Sequence, residues 1–378
     1  MESCGLYIHI PFCLRKCNYC DFISFEYKKE LAEEFLLALF SELSLLSQEY
    51  DQTILETIYL GGGTPTCLSG EELARIIEGV KEHFPVKEGA EITCEMNPAT
   101  GVEKDLKIMR EAGINRISIG VQAFDDRILQ YLGRVHNLSE ALKTYYTVRE
   151  VGFDNINLDL IFAIPGQTRK DWQDSLEIAL KLNPEHLSLY NLKIEENTPF
   201  YYDYLNGKLK PVDEDTEYWM YQDAINTLKN AGFEHYEISN FARPGYASRH
   251  NLGYWHYKPY LGVGPGAHGF FGSLRYQNTD DLEEYISCLT RNKLPRQEEL
   301  HLTCKDQMEE FVIMGLRVLE GVSLDEFRKR FGESLLEIYG TQIKKLIKLG
   351  LLNLKGNYLA LTEKGLFLGN EVFAEFLL

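Results

Sequence analysis

The sequence has no stretch approaching the roughly 18 consecutive apolar residues that a membrane-spanning helix needs. No integral membrane segment is expected. It also lacks a basic N-terminal region followed by an apolar one, so no secretory leader is expected and the chain reads as cytoplasmic. Positive charge is short: 39 Lys and Arg face 57 Asp and Glu, a net charge of −18. That balance works against sequence-independent binding to phosphate backbones or anionic membranes, and no nucleic-acid partner is expected. Low-complexity signatures are absent as well. The 378 residues are 44% hydrophobic and 25% charged, an ordinary globular composition, with length for two to three domains or a barrel plus an appendage. A disulfide framework is missing too, because eight cysteines at irregular places in a long chain without a leader suit a reducing compartment. Five of them, Cys4, Cys67, Cys94, Cys288 and Cys304, are scattered and read as small buried hydrophobes.

What is present is a repeat of short β-rich runs, each followed by a longer amphipathic pattern, the signature of βα units around a parallel sheet. Six runs stand out, at 6–10, 57–60, 91–95, 116–120, 156–162 and 186–192, with helical patterns at 29–46, 70–84, 103–112, 138–151 and 170–182. They predict an α/β fold, a partial (β/α)6 barrel over residues 1–200. Residues 201–299 are aromatic and glycine-rich and read as elaboration of that barrel, with a helix over 213–231. Residues 300–378 read as three helices and a hairpin, 351–354 and 358–361, turned at Lys355, Gly356 and Asn357. This is a winged-helix-like α+β unit. Winged helices often bind DNA, but residues 301–378 hold 10 Lys or Arg against 11 Asp or Glu with no basic stripe, so a protein-contact or cover role is expected.

The strongest chemical signal is Cys13-Leu14-Arg15-Lys16-Cys17-Asn18-Tyr19-Cys20, a C-x3-C-x2-C spacing between a strand and a helix. Three thiolates leave one iron of a [4Fe–4S] cluster open to another ligand. The competing metal is structural zinc, which takes four Cys or His ligands, with His9 as the available fourth. Next comes Gly61-Gly62-Gly63-Thr64-Pro65 at the end of the second strand, where glycines let backbone groups approach a ligand. Polar residues end the other strands: Glu95 with Asn97, Gln122, and Asp159. In a barrel, the C-terminal ends of the strands are where a ligand site is built.

Together, Tyr7-Ile8-His9-Ile10-Pro11-Phe12-Cys13, the cysteine loop, residues 61–66, Glu95-Met96-Asn97-Pro98, Gly120-Val121-Gln122 and Asp159-Leu160-Ile161 resemble the radical S-adenosylmethionine (SAM) superfamily. The resemblance is strongest to the oxygen-independent coproporphyrinogen III oxidase family and covers nearly the whole chain. It implies a [4Fe–4S] cluster on Cys13, Cys17 and Cys20, with the amino and carboxylate groups of SAM on the fourth iron, and a low-potential electron donor of the ferredoxin or flavodoxin type. It places Tyr7 and Tyr19 near SAM, Gly62, Gly63 and Thr64 along its methionine end, and Glu95, Gln122, Arg134 and Asp159 on its polar groups. The residue types suit those tasks: Arg pairs with a carboxylate in two-pronged fashion, and Gln and Asp bind ribose hydroxyls.

Two departures from the oxidases point to the HemW-type haem chaperone branch. Cys20 is followed by Asp21 and Phe22, where oxidases carry a further cysteine, and Tyr7 lies six residues from the start, where they carry an N-terminal arm. The branch's H-N-x-x-Y-W motif stands as His250-Asn251-Leu252-Gly253-Tyr254-Trp255. Histidine ligates haem iron, and aromatic neighbours give a flat macrocycle a packing surface. A lone histidine beside aromatics is more often structural, which is the reading for His256 and His268; the resemblance assigns His250 to haem. The expected function is delivery of haem to an acceptor protein. The alternatives are an oxygen-independent coproporphyrinogen III oxidase and a non-catalytic iron–sulfur regulatory protein.

Overall fold

A computed structural model describes residues 2–377. Its first half alternates strand and helix: β1 (Glu2–Ile10), α1 (Lys29–Glu49), β2 (Thr53–Gly62), α2 (Gly70–His83), β3 (Val86–Met96), α3 (Glu103–Ala112) and β4 (Arg116–Gln122). The short α4 (Asp126–Tyr131) precedes α5 (Leu138–Val151), β5 (Ile156–Phe162), α6 (Arg169–Leu182) and β6 (His186–Asn191). Then come α7 (Pro199–Leu205), α8 (Glu214–Asn230), β7 (Glu234–Glu237), β8 (Asn240–Ala242), α9 (Arg249–Trp255), β9 (Tyr260–Val263), β10 (His268–Phe271), β11 (Leu274–Asn278), α10 (Leu282–Thr290) and β12 (Arg296–His301). The last part holds α11 (Cys304–Gly315), β13 (Val322–Ser323), α12 (Leu324–Phe331), α13 (Leu335–Ile338), α14 (Gly340–Lys348), β14 (Leu352–Lys355), β15 (Tyr358–Leu361), α15 (Glu363–Phe367) and α16 (Gly369–Ala374).

The sheet order is β12-β11-β10-β9-β1-β2-β3-β4-β5-β6-β8-β7. The six expected strands lie side by side and parallel, and β9 adds a seventh parallel strand outside β1. Antiparallel strands extend both ends. Local sequence explains the helices between: reciprocal capping boxes at Ser69/Glu72, Asn137/Glu140 and Thr168/Asp171 start α2, α5 and α6, each satisfying otherwise orphaned N–H groups.

Strand alternation fixes which face does what, since successive side chains point to opposite faces. Ile8, Leu60, Cys94, Ile119, Leu158 and Leu187 join the buried apolar core with Leu39, Ile76, Leu106, Val148 and Leu176 of the helices. The other face is also buried, yet polar: Thr57, Glu91, Thr93, Arg116, Ser118, Asn157, His186 and Ser188 are each at most 6% exposed. Parallel strands covered on both faces usually read as continuous apolar runs, so this polar interior marks a built site. Residues 304–377 carry a second core around Val312, Phe327, Tyr339, Ile343, Leu359 and Phe376, with β13 completing a three-stranded sheet beside the β14–β15 hairpin. This unit docks through Glu310, which accepts hydrogen bonds from Tyr257 (2.6 Å) and Arg275 (2.8 Å), and through a bridge between Glu237 and Val318.

Among the scattered cysteines, Cys4 and Cys94 are buried and Cys67 and Cys288 half-buried, but Cys304 is exposed. Its place in the first turn of α11, directly after the Thr303 cap, puts it on a solvated helix end.

Candidate functional site at the barrel mouth

The cysteine loop leaves the C-terminal end of β1 and is held in shape from several sides. Asn18 is the staple: its N–H donates to the Leu132 carbonyl (3.0 Å), its side-chain amide donates to the Tyr131 carbonyl (2.8 Å), and its carbonyl accepts from the Phe200 N–H (3.0 Å). Gly133, at φ 75°, makes room for it, because a Cβ there would stand 2.9 Å from the Asn18 amide oxygen. Cys13 Sγ lies 3.5 Å from Thr64 Oγ1, and Arg134 donates through Nη1 to Cys17 Sγ at 3.4 Å. Burial pushes the Cys13 thiol up and the Cys20 thiol up to about 11.

Among the described residues, no three His, Cys, Asp or Glu side chains converge closely enough to share one ion. His9 offers no fourth ligand to zinc. Its Nε2–H donates to the Ile23 carbonyl (2.8 Å), which leaves Nδ1 to accept from the Tyr7 hydroxyl (3.1 Å). The donor set is therefore three thiols on one loop, which fits a cluster with an open iron better than a closed zinc site.

Beside this loop, the strand ends converge. Glu95 accepts from the Tyr59 hydroxyl (2.8 Å) and the Gly62 N–H (3.2 Å), and burial raises its pKa to about 7. Asp159 accepts from the Asn157 amide (2.8 Å) and the Ser118 hydroxyl (3.1 Å), and burial raises it too. Gly62 sits at φ 105°, where a Cβ would meet the His9 ring at 2.4 Å. The N–H groups of Gly63 and Thr64 donate to Ile10 and Phe12 carbonyls (2.9 and 2.7 Å). What the glycine run can offer a ligand is thus carbonyl oxygen, an acceptor for an ammonium group. Gln122, at φ 67°, and Arg134 flank Gly120: a Cβ there would come 2.9 Å from the Gln122 amide nitrogen and 3.4 Å from Arg134 Nη2. Arg134 also donates to the Gly120 carbonyl at 2.7 Å, and its buried Nε has no hydrogen-bond partner among the described residues. Tyr19 packs against the small apolar cluster of Ala123, Ile128 and Phe200.

His250 lies elsewhere. It sits at the start of α9, 3% exposed, below Tyr59, whose ring stacks on it at 5.2 Å. The α9 N-terminus is seated on Glu91, which accepts from the N–H groups of Arg249 and His250 (3.1 and 3.0 Å). Both ring nitrogens of His250 are engaged, Nδ1 with Thr57 Oγ1 and Nε2 with Tyr254 Oη, each at 2.7 Å. Burial, with Arg116 nearby, lowers its pKa to about 3, so the ring is neutral. The adjoining cavity of about 240 Å³, lined by Gly5, Thr57, His250, Tyr254 and Tyr260, is smaller than the ~300–1,000 Å³ usual for small-molecule pockets.

The sequence profile of the radical SAM superfamily matches residues 7–179, and that of the HemN C-terminal domain matches residues 302–368. Heme chaperone HemW of Bacillus subtilis is 39% identical over 98% of this chain and 98% of its own length. The chain belongs to the HemW family of the radical SAM superfamily. The protein of the same name from Escherichia coli is 36% identical over 99% of this chain and 98% of its own. In fold, the chain matches the solved coproporphyrinogen III oxidase of Escherichia coli with a TM-score of 0.86 at 24% identity, covering 99% of this chain and 90% of that one. Membership of the radical SAM superfamily implies a [4Fe–4S] cluster and SAM.

The cysteines, Thr64, Tyr19, Arg134 and Gly120 thus meet around one loop, and Tyr7, Gly62 and Glu95 meet beside it. His250 stands apart, beneath Tyr59. Sequence reasoning passed over Tyr59, Ser118, Asn157 and His186, which hold Glu95 and Asp159 in place. Their signal was the alternation in Arg116-Ile117-Ser118-Ile119, Asn157-Leu158-Asp159-Leu160 and His186-Leu187-Ser188-Leu189, a polar period of two where a parallel strand needs none.

Proposed function

We propose that this HemW-family chain is a haem chaperone that holds a [4Fe–4S] cluster on Cys13, Cys17 and Cys20, binds SAM at the strand ends, and passes haem to an acceptor protein. Full-length similarity to proteins named heme chaperone carries the reading. The cluster, when bound and reduced by a ferredoxin- or flavodoxin-type donor, supplies the electron that cleaves SAM. In this reading the carbonyls of Gly62 and Gly63 and the Thr64 hydroxyl face the methionine end, with Tyr7 and Tyr19 beside it. Glu95 takes the ammonium group, the Arg134 Nε takes a carboxylate oxygen, and Gln122 and Asp159 take ribose hydroxyls. His250 meets haem as a neutral imidazole, the form that ligates iron, once its bond to Tyr254 opens.

The test is anaerobic reconstitution followed by parallel haem titration and coproporphyrinogen incubation. Haem binding without decarboxylation is expected. Robust coproporphyrinogen turnover would replace the reading with the oxidase one.

A further inference from the structure

The polar interior holds a buried histidine, His186, that the proposed function leaves unused. His186, the first residue of β6, is fully buried, with Nδ1 2.6 Å from Asn157 Oδ1 and Nε2 2.8 Å from Tyr236 Oη. Hydrogen-bond logic fixes every direction around it. The Asn157 amide NH2 is turned toward Asp159, at 2.8 Å, and toward Ser118 Oγ, at 2.7 Å. Asn157 Oδ1 therefore faces His186 and Ser188, and both must donate to it. A protonated Nδ1 on a neutral ring leaves Nε2 bare, so Tyr236 donates its hydroxyl proton to Nε2. The Tyr236 oxygen in turn accepts from the Ser248 N–H at 3.3 Å. Ser248 is the cap of α9: its hydroxyl accepts from the Asn251 N–H.

The result is a chain in which each donor points the same way, from Ser248 through Tyr236, His186 and Asn157 to Asp159. Chains of this kind polarise one another cooperatively in a low-dielectric interior. Asn157 and His186 are 1% and 0% exposed, so water does not compete for their bonds. Burial and the nearby Arg116 also keep His186 neutral, as the directions require.

We infer that Tyr236, His186 and Asn157 are positioning residues for SAM, aiming the Asp159 carboxylate into the mouth and tying it to the cap of α9. The inference rests on the reading that Asp159 binds SAM. A ligand that displaced the Ser248 N–H from Tyr236 would act on Asp159 through this chain, and any such coupling to SAM would be reciprocal.

The test measures SAM affinity of the anaerobically reconstituted protein by equilibrium dialysis, with iron content and thermal midpoint recorded for each variant. Asn and Leu share one branching pattern, so His186→Asn and His186→Leu leave the same void, but only Asn keeps a donor where Nδ1 stood. His186→Leu should weaken SAM about tenfold, the upper end of what one lost hydrogen bond between neutral groups costs, and His186→Asn by less than about threefold. Equal weakening in both variants, as a purely structural role requires, would overturn the inference. Should His186→Leu fail to fold, Tyr236→Phe decides, since it removes one oxygen and nothing else: SAM weakened about two- to fivefold supports the chain, and unchanged affinity refutes it. Asp159→Asn separates the two levels. If it leaves SAM affinity intact, the underlying assignment of Asp159 fails. If it alone impairs binding, only the positioning role fails.

Discussion

At the scale of single residues, the three loop cysteines and Cys288 make a clean contrast. Cys13, Cys17 and Cys20 hang from one stapled loop, whereas Cys288 sits half-buried on α10. Cys13→Ala, Cys17→Ala or Cys20→Ala should each abolish a cluster of about four irons and four sulfides per chain, and Cys288→Ala should retain it, as read by iron and sulfide analysis. Stoichiometric zinc in anaerobically prepared protein would contradict this. His250→Ala should shift the absorption spectrum of bound haem and weaken its binding, while His256→Ala, exposed beyond the motif, should do far less. An unaltered spectrum would remove His250 from the haem site. The cysteines were legible because their spacing has few other uses. His186 and Asn157 were not, because each alone is an ordinary buried polar residue, and only their meeting across β5 and β6 gives them a task.

At the scale of elements, the parallel strands were legible because each is a β-rich run bounded by an amphipathic helix. The antiparallel extension was not. Strand β12 is exposed along nearly its whole length and reads Arg-Gln-Glu-Glu-Leu-His, without the alternation that marks a half-buried strand, and β9 is four residues in a glycine-rich run. The loop between α4 and α5 carries its own prediction. Gly133→Ala meets a positive φ and a contact of 2.9 Å with Asn18, so the staple must shift. Cluster occupancy after reconstitution should fall severalfold while the far-ultraviolet circular dichroism stays unchanged. Full occupancy would mean that Asn18 does not govern the loop.

At the scale of the whole molecule, buried titratable groups oppose one another. Burial holds His9, His136, His186, His235 and His250 neutral, with His136 and His235 lowered to about 4 and His250 to about 3. Below the ordinary histidine value of 6.5 the unfolded chain gains protons that the folded one refuses, so these residues cost stability as pH falls. Glu42, Glu95 and Glu237 act in reverse: raised to about 7, they keep protons that the unfolded chain releases above 4.5, and so add stability as pH falls from 7 to 4.5. Five histidines outnumber three glutamates, so stability of the cluster-free chain should fall as pH drops from 6.5 to 5 and fall more steeply below 4.5, where the glutamates no longer offset them, as measured by denaturant titration at a series of pH values. Stability that rises as pH falls from 6.5 to 5 would show that the histidines do not dominate. The staple at Asn18 has a consequence in time. The cysteines emerge early in synthesis, but the contacts that shape their loop come from Tyr131, Leu132 and Phe200. More than half of the chain must be translated and packed before the loop that carries the thiols takes its final shape.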